Sequence, residues 1–390
     1  MSRPVYDVLA QAITQTPQQR FTFAEFMDWV LYNPQYGYYS SGQVNIGIRG
    51  DFVTAIALGP AFGELLVAQF YDMWQRLDCP VSFDILELGA GTGAFAQSVL
   101  LYAQRQYPDF YQAIHYTIVE HSQFLRSRQK QLLTPTFAEK CQWLDWDELM
   151  PDQFQGCCFS NEFFDALPVH RVGLRQAKLQ EQYITLDSSE TGLVYEWDDL
   201  STPALTDYFV GFGLQVMTPP YKEGYETEVN LNAQGVLTNI AQTLKQGWML
   251  TIDYGYPAGK YYHPQRYSGT LQCYFQQRLH DNPLINLGTQ DITAHINFTA
   301  LEFWGETVGL KSLGFCKQAP FLMNLGVGER LAALSSGQQK LADVLQQREI
   351  LHQLIDPTGL GKFGVLLQGK GVDKLTPDTP LLGFKNLWDN

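Results

Sequence analysis

The run Phe83-Asp84-Ile85-Leu86-Glu87-Leu88-Gly89-Ala90-Gly91-Thr92-Gly93 constrains this chain more than any other stretch. An apolar strand with an acid near its end leads into three glycines at every second position. Glycine adopts the left-handed backbone that a tight strand-to-helix turn needs, and it lets the backbone approach a nucleotide-like ligand where a Cβ would collide. The dinucleotide fingerprint reads G-x-G-x-x-G and sets a pyrophosphate on a helix N-terminus. Here the pattern is Glu-x-Gly-x-Gly-x-Gly. A carboxylate at that place repels pyrophosphate and suits a ligand with a cationic end.

The segments around this turn repeat its logic. Residues 94–106 read as the following helix, and Ala113-Ile114-His115-Tyr116-Thr117-Ile118-Val119-Glu120 as a second strand ending in an acid. A helix follows over 122–133. Cys157-Cys158-Phe159-Ser160-Asn161-Glu162 and Gly247-Trp248-Met249-Leu250-Thr251-Ile252-Asp253 are further buried strands. Strands alternating with helices predict a doubly wound, mostly parallel sheet. Residues 1–60 read as a helical cap, with Thr22 and Glu25 in capping-box spacing and a tyrosine-crowded turn over 36–39. The core is expected over 61–170, 226–256 and 299–390. A β-hairpin insertion is expected over 171–225, and a substrate-side insertion over 257–298.

Composition excludes several classes of function. The net charge of −14 lacks the basic footprint of nucleic-acid binding and is compatible with a cationic partner. None of the six cysteines lies in a Cys-x-x-Cys pair or at zinc-ligand spacing from a histidine, so no metal site is expected and the thiols read as reduced. No apolar run approaches the ~20 residues of a membrane-spanning helix, and no signal peptide is evident. A cytoplasmic protein is the expectation.

Chemistry concentrates at the strand ends. Glu120 follows the second strand where an acid accepts hydrogen bonds from ribose hydroxyls; as an alternative it complements a helix dipole. Leu144 and Asp145 follow the third strand, where an acceptor beside a backbone amide suits an adenine ring; a plain surface loop reads equally well. Asn161, Glu162 and Asp165 cluster beyond a strand that should lie beside the glycine turn. Two acids in a cleft can clamp a guanidinium. Their alternative is a capped helix start at Asn161, which would put Glu162 and Asp165 on one face. His295, in Asp291-Ile292-Thr293-Ala294-His295, could take a proton near neutral pH.

Together these segments resemble the MidA/NDUFAF7-type family of S-adenosylmethionine-dependent methyltransferases. The resemblance rests on Glu87 to Gly93, Val119-Glu120-His121-Ser122, Ile252-Asp253-Tyr254-Gly255, Asp291 to His295 and, most specifically, Asn161-Glu162-Phe163-Phe164-Asp165-Ala166-Leu167-Pro168. Asn33 to Tyr39 and Gly50-Asp51-Phe52-Val53-Thr54 extend it toward the N-terminus. It implies a seven-stranded class I methyltransferase fold with one antiparallel strand, and S-adenosylmethionine as cofactor. Glu87, Gly89, Gly91 and Gly93 would hold its methionine end, Glu120 its ribose, and Asn161 and Glu162 would face the methyl-transfer site. The mitochondrial members methylate an arginine on a complex I subunit and assist complex I assembly. An arginine-bearing protein is therefore the expected substrate, with Asp165 or His295 taking the released proton. Two other readings stand beside it: methylation of oxygen or nitrogen on a small molecule, and a cofactor-binding assembly factor with little turnover. The chain departs from the family at Ala55-Ile56-Ala57, where Ser-Pro-Glu is usual, and at Arg171, where Gln is usual.

Overall fold

The computed structural model describes residues 3–42, 54–336, 340–372 and 379–385. Residues 50–53, part of the family resemblance, lie outside the described residues. Seven strands form the central sheet: β1 (Phe83–Leu88), β2 (Ile114–Val119), β3 (Cys141–Leu144), β4 (Phe154–Asn161), β5 (Leu244–Asp253), β6 (Lys311–Lys317) and β7 (Gly364–Lys370). Their order across the sheet is β3-β2-β1-β4-β5-β7-β6. Strands β1 to β5 are parallel to their neighbours in that order, and β7 runs antiparallel to both β5 and β6. The chain thus adopts the expected class I methyltransferase fold.

Both faces of the sheet are buried, which is why its strands read as apolar runs with little alternation. Ile85, Phe159, Leu250 and Val365 pack on one face with the helices Ala61–Arg76 and Ala94–Gln106. Leu86, Cys158, Met249 and Leu366 pack on the other with the helices Asn232–Thr243 and Phe298–Thr307. Successive residues of a strand point to opposite faces, so each strand feeds both cores.

A second sheet, five-stranded and antiparallel, is built largely from the segment that follows β4. It joins His170–Arg175, Lys178–Leu186, Leu193–Asp198 and Glu226–Val229 with the two residues Phe21–Thr22 from the N-terminal segment. Phe21 and Thr22 continue directly into the helix Phe23–Tyr32. Its start carries the capping box foreseen in the sequence: the Thr22 hydroxyl accepts the Glu25 N–H at 3.1 Å, and Glu25 returns a bond to the Thr22 N–H at 2.7 Å. Buried Phe26, Met27 and Leu31 pack this helix against Ile184 and Ile292. The cap helix is thereby fixed over the ends of β1, β2 and β4.

Candidate active site

The site lies at the carboxyl ends of β1, β2 and β4. Beside β1 the strand order reverses, leaving a crevice of the kind where open α/β sheets bind ligands. A cavity of about 740 Å³ opens there, within the range of small-molecule sites. Gly89, Ala90, Gly91 and Thr92 form its floor. Gly89, Gly91 and Gly93 all take left-handed φ values of 64°, 53° and 83°. A Cβ on Gly89 would also sit 2.8 Å from the Phe163 ring, so this position is reserved for glycine by both conformation and space. Gly93 ends the turn as the N-cap of the helix Ala94–Gln106 and is not part of the wall.

Glu87 stands behind the floor and not in it. Its side chain leaves β1 on the same face as Ile85, is 2% exposed, and accepts the Tyr116 hydroxyl at 2.7 Å. The expected direct hold on a ligand is therefore not what this side chain makes; it bonds the neighbouring strand beneath the turn. Burial pushes its carboxyl up to about 8, opposed by the Tyr116 bond and helped by the nearby Glu120. The folded chain thus keeps a proton that the unfolded chain loses above about pH 4.5. The resulting stabilisation is complete below that value and is lost as pH rises through 8. Glu87→Gln retains an acceptor for Tyr116 without the titration. Thermal melts between about pH 6 and 9 should show a shallower loss of melting temperature in this variant than in wild type. An identical slope would show that Glu87 does not carry the buried proton.

Glu120 lies one residue past β2 and lines the cavity. Its oxygens accept the Ser122 N–H at 2.9 Å and the Gln129 side-chain amide at 3.0 Å. Gln129 also donates to the Gly91 carbonyl at 2.9 Å, which ties the acid to the glycine turn. Burial lifts the Glu120 carboxyl to about 7, against these bonds and the Arg126 charge. It is a preset acceptor whose ionisation sits near neutrality.

Leu144 and Asp145 do not line the cavity. Asp145 caps a short turn: its N–H donates to Glu148 at 2.7 Å, and its carboxylate faces His121 at 3.2 Å. The amide expected to meet an adenine is already bonded. Trp146, the next residue, is on the wall instead.

Asn161 ends β4, directly beside β1 through the Leu88–Ser160 pairing. Both Asn161 and Glu162 line the cavity. Glu162 has φ 49° and donates its N–H to the Ile252 carbonyl of β5 at 3.0 Å. That bond diverts the chain into a turn, so no helix starts at Asn161 and the helical alternative is corrected. The Asn161 amide donates to Glu162 at 3.1 Å, while its buried carbonyl oxygen has no partner. Glu162 is half-buried and lines the cavity. This burial, together with the charge of Asp165, lifts its carboxyl to about 8.

Asp165 is close by but faces away from the cavity. It accepts the Tyr254 hydroxyl, and its other oxygen is buried without a partner. Asp253 holds the same turn by accepting the N–H groups of Phe164 and Asp165 at 3.1 and 3.3 Å. Burial raises both carboxyls, and Asp253 is raised further by Asp165 and Glu162. His295 is also off the wall. Its ring packs on Tyr254 and Tyr256, with centroids 5.0 and 5.3 Å away. Burial and the Arg266 charge push it down to about 4, so the expectation of a proton near neutral pH is corrected. The structure thus brings Gly89, Gly91, Glu120, Asn161 and Glu162 into one cavity. It leaves Glu87, Gly93, Leu144, Asp145, Asp165 and His295 around it.

The opposite wall went unseen in the sequence. Asp28, Trp29 and Tyr32 from the cap helix, with Tyr39 beyond it, close the cavity. Tyr32 donates to the Ala166 carbonyl at 2.8 Å and Tyr39 to Asp291 at 2.8 Å. Ser122 donates to the Tyr39 carbonyl at 2.8 Å, fastening this wall to the Glu120 loop. The one available signal was the crowding of tyrosines after Asn33-Pro34.

The family described as "Putative S-adenosyl-L-methionine-dependent methyltransferase" matches residues 65–316. A Drosophila melanogaster protein named protein arginine methyltransferase NDUFAF7 homolog, mitochondrial, is 30% identical, covering 93% of this chain and 84% of that protein. The Rattus norvegicus protein arginine methyltransferase NDUFAF7, mitochondrial, is 28% identical, covering 94% and 87%. A Burkholderia thailandensis protein crystallised with S-adenosyl-homocysteine superposes with a TM-score of 0.84 at 30% identity, covering 98% of this chain and 95% of that one. The chain belongs to this family of S-adenosylmethionine-dependent methyltransferases, and S-adenosylmethionine is its methyl donor.

Proposed function

We propose that the enzyme methylates a guanidinium nitrogen of an arginine in a protein substrate. The observation that carries this reading is Glu162. It is a half-buried carboxyl beside the glycine turn that lines the cavity. Leaving a carboxylate buried without a counter-charge costs several kcal/mol. A guanidinium supplies that charge in a planar, forked form that matches a carboxylate. The names of the relatives point to the same acceptor.

The residues present fit the donor. The Gly89–Gly93 turn leaves room for its methionine end, Glu120 is placed to accept ribose hydroxyls, and Trp146 offers a flat face to the adenine. The unpartnered Asn161 carbonyl oxygen offers an acceptor to the donor's amino group. Glu87 and Gln129 then act from behind, by holding the turn and the acid. When bound, S-adenosylmethionine supplies a methyl on a positively charged sulfur, which leaves as a neutral thioether. Methylated and unmodified arginine are both cationic at neutral pH, so one proton is released for each new N–C bond. Glu162 orients the guanidinium and localises its charge. It also takes the released proton, which Asp165 and Tyr254 behind it help to pass on.

Residues 1–60, 171–225 and 257–298 are, on this reading, additions that shape the acceptor side of the core, with boundaries that limited proteolysis can test. Among the described residues no helix is long and apolar enough to cross a membrane. Six free thiols, four of them buried, support placement in a reducing compartment such as the cytoplasm. The test of function is incubation of the enzyme with methyl-labelled S-adenosylmethionine and a proteome from cells lacking it. Mass spectrometry should then find methylarginine. Label only on small molecules would transfer the reading to a small-molecule methyltransferase. Binding without any label transfer would favour an assembly role.

A further inference from the structure

Beyond the acidic cluster stand three cations that the methyl-transfer reading leaves unused. The Lys260 ammonium lies 4.7 Å and the Arg266 guanidinium carbon 4.6 Å from the centroid of the Tyr256 ring. The same ring stacks against His295. Tyr256 pairs with Asn297, the neighbour of Phe298. The Phe298 ring reaches to Gly364, and Gly364 pairs with Lys317 across β6 and β7. Lys317 therefore joins the group, and its ammonium loses protons more readily because of burial and the charge of Lys260.

Among the described residues none of these three cations has a carboxylate within ion-pair distance. The Arg266 Nε is buried with no hydrogen-bond partner. Gathering like charges without counter-ions is unfavourable, and a chain of net charge −14 has carboxylates to spare. At this cluster they are withheld. The nearby Lys362 differs, because its charge acts on Asp356, whose carboxylate also accepts the Thr358 N–H and hydroxyl at 2.9 and 2.8 Å.

The cluster does not line the large cavity but is packed close behind its acidic turn. Tyr254 donates to Asp165 and packs against His295, which packs on Tyr256. The successive contacts from the Tyr254 ring to the Lys260 ammonium, 5.0, 5.3 and 4.7 Å, bound their direct separation at roughly 15 Å, the reach of four or five extended residues.

We propose that Lys260, Arg266 and Lys317 form a docking site for an acidic segment of the substrate polypeptide, flanking the residue that enters the large cavity. This rests on the reading of the substrate as a protein. The enzyme then recognises a charge pattern: a cation for the acidic cavity and, a few residues away, anions for the cationic patch. Opposed patches of this kind set register and steer encounter.

Two fluorescein-labelled synthetic peptides test it, each with one arginine, flanked on both sides by glutamates in one and by glutamines in the other. Binding to the full enzyme with S-adenosyl-homocysteine is read by anisotropy. Wild type should prefer the glutamate peptide by about tenfold at about 50 mM salt, and the preference should vanish at about 0.5 M. In a Lys260→Ala, Arg266→Ala, Lys317→Ala variant the preference should fall to within about twofold, with melting temperature and cofactor affinity unchanged. Glu162→Gln should weaken both peptides alike and leave the preference intact. If the preference survives but replacing the arginine changes nothing, the docking site stands and the arginine reading fails. Equal affinity for both peptides in wild type would overturn the docking site, and the salt series gives this answer even if the triple variant does not fold. An oligonucleotide of equal charge binding more tightly than the glutamate peptide would also overturn the assignment to a polypeptide.

Discussion

Glu162→Gln should lower kcat/KM for methyl transfer by about 10²–10³, while S-adenosylmethionine affinity by calorimetry stays within about threefold. The magnitude follows from what is removed. A buried carboxylate paired with a guanidinium typically contributes about 2–5 kcal/mol to binding and orientation. Glutamine keeps the shape and an acceptor for the Asn161 amide, so the wall is preserved while the charge is lost. The cofactor contacts proposed above lie on Glu120, the glycine turn, Trp146 and the Asn161 carbonyl oxygen, none of which Glu162→Gln removes, so donor binding should be nearly unaffected. Turnover within threefold of wild type would remove Glu162 from the chemistry. Loss of donor affinity in parallel with turnover would make it a cofactor contact instead.

The second large effect is on the cofactor side. Glu120→Ala should weaken S-adenosylmethionine binding by about 10²-fold, since hydrogen bonds to a charged acceptor contribute about 1.5–3 kcal/mol each. The Glu120 carboxyl is lifted to about 7, so its ionisation is coupled to binding. Ribose hydroxyls bond best to the ionised form. In wild type, affinity should therefore rise about tenfold from pH 6 to pH 8 and level off above. The Ala variant should lose most of that slope. A wild-type affinity flat across this range would show that Glu120 is already ionised or does not meet the ribose. Melting temperatures of both proteins distinguish lost contacts from a disturbed Ser122–Gln129 loop.

The fates of Glu87 and Glu120 show how far the sequence of this chain can be read. Both are acids at the ends of adjacent parallel strands. A strand buried on both faces has no polar–apolar alternation to reveal which way a given side chain points. Glu87 leaves on the face of Ile85 and meets Tyr116, whereas Glu120, one residue past β2, is free of the pleat and turns to the cavity. Asp145 is different, because its fate was legible. Asp145 and Glu148 stand in capping-box spacing, the same signal read correctly at Thr22 and Glu25, and that box occupies the Asp145 amide. The helix weighed at Asn161 was not legible as wrong. It is prevented by a bond from Glu162 to Ile252, ninety residues downstream.

By itself, the sequence determined what local physics controls. Apolar runs set β1, β2, β4 and β5, glycines with positive φ set the turn, and a capping box set the start of the cap helix. These features depend on neighbours a few residues apart, and they sufficed for the fold class and the glycine turn. Only the tertiary structure decided which acids face the cavity, that Tyr32 and Tyr39 close it, and that Asp165 turns to Tyr254. It also decided that Lys317 lies near Lys260. Those outcomes depend on contacts between segments tens to hundreds of residues apart, where the direction of one bond selects among side-chain orientations that are equally compatible with the sequence.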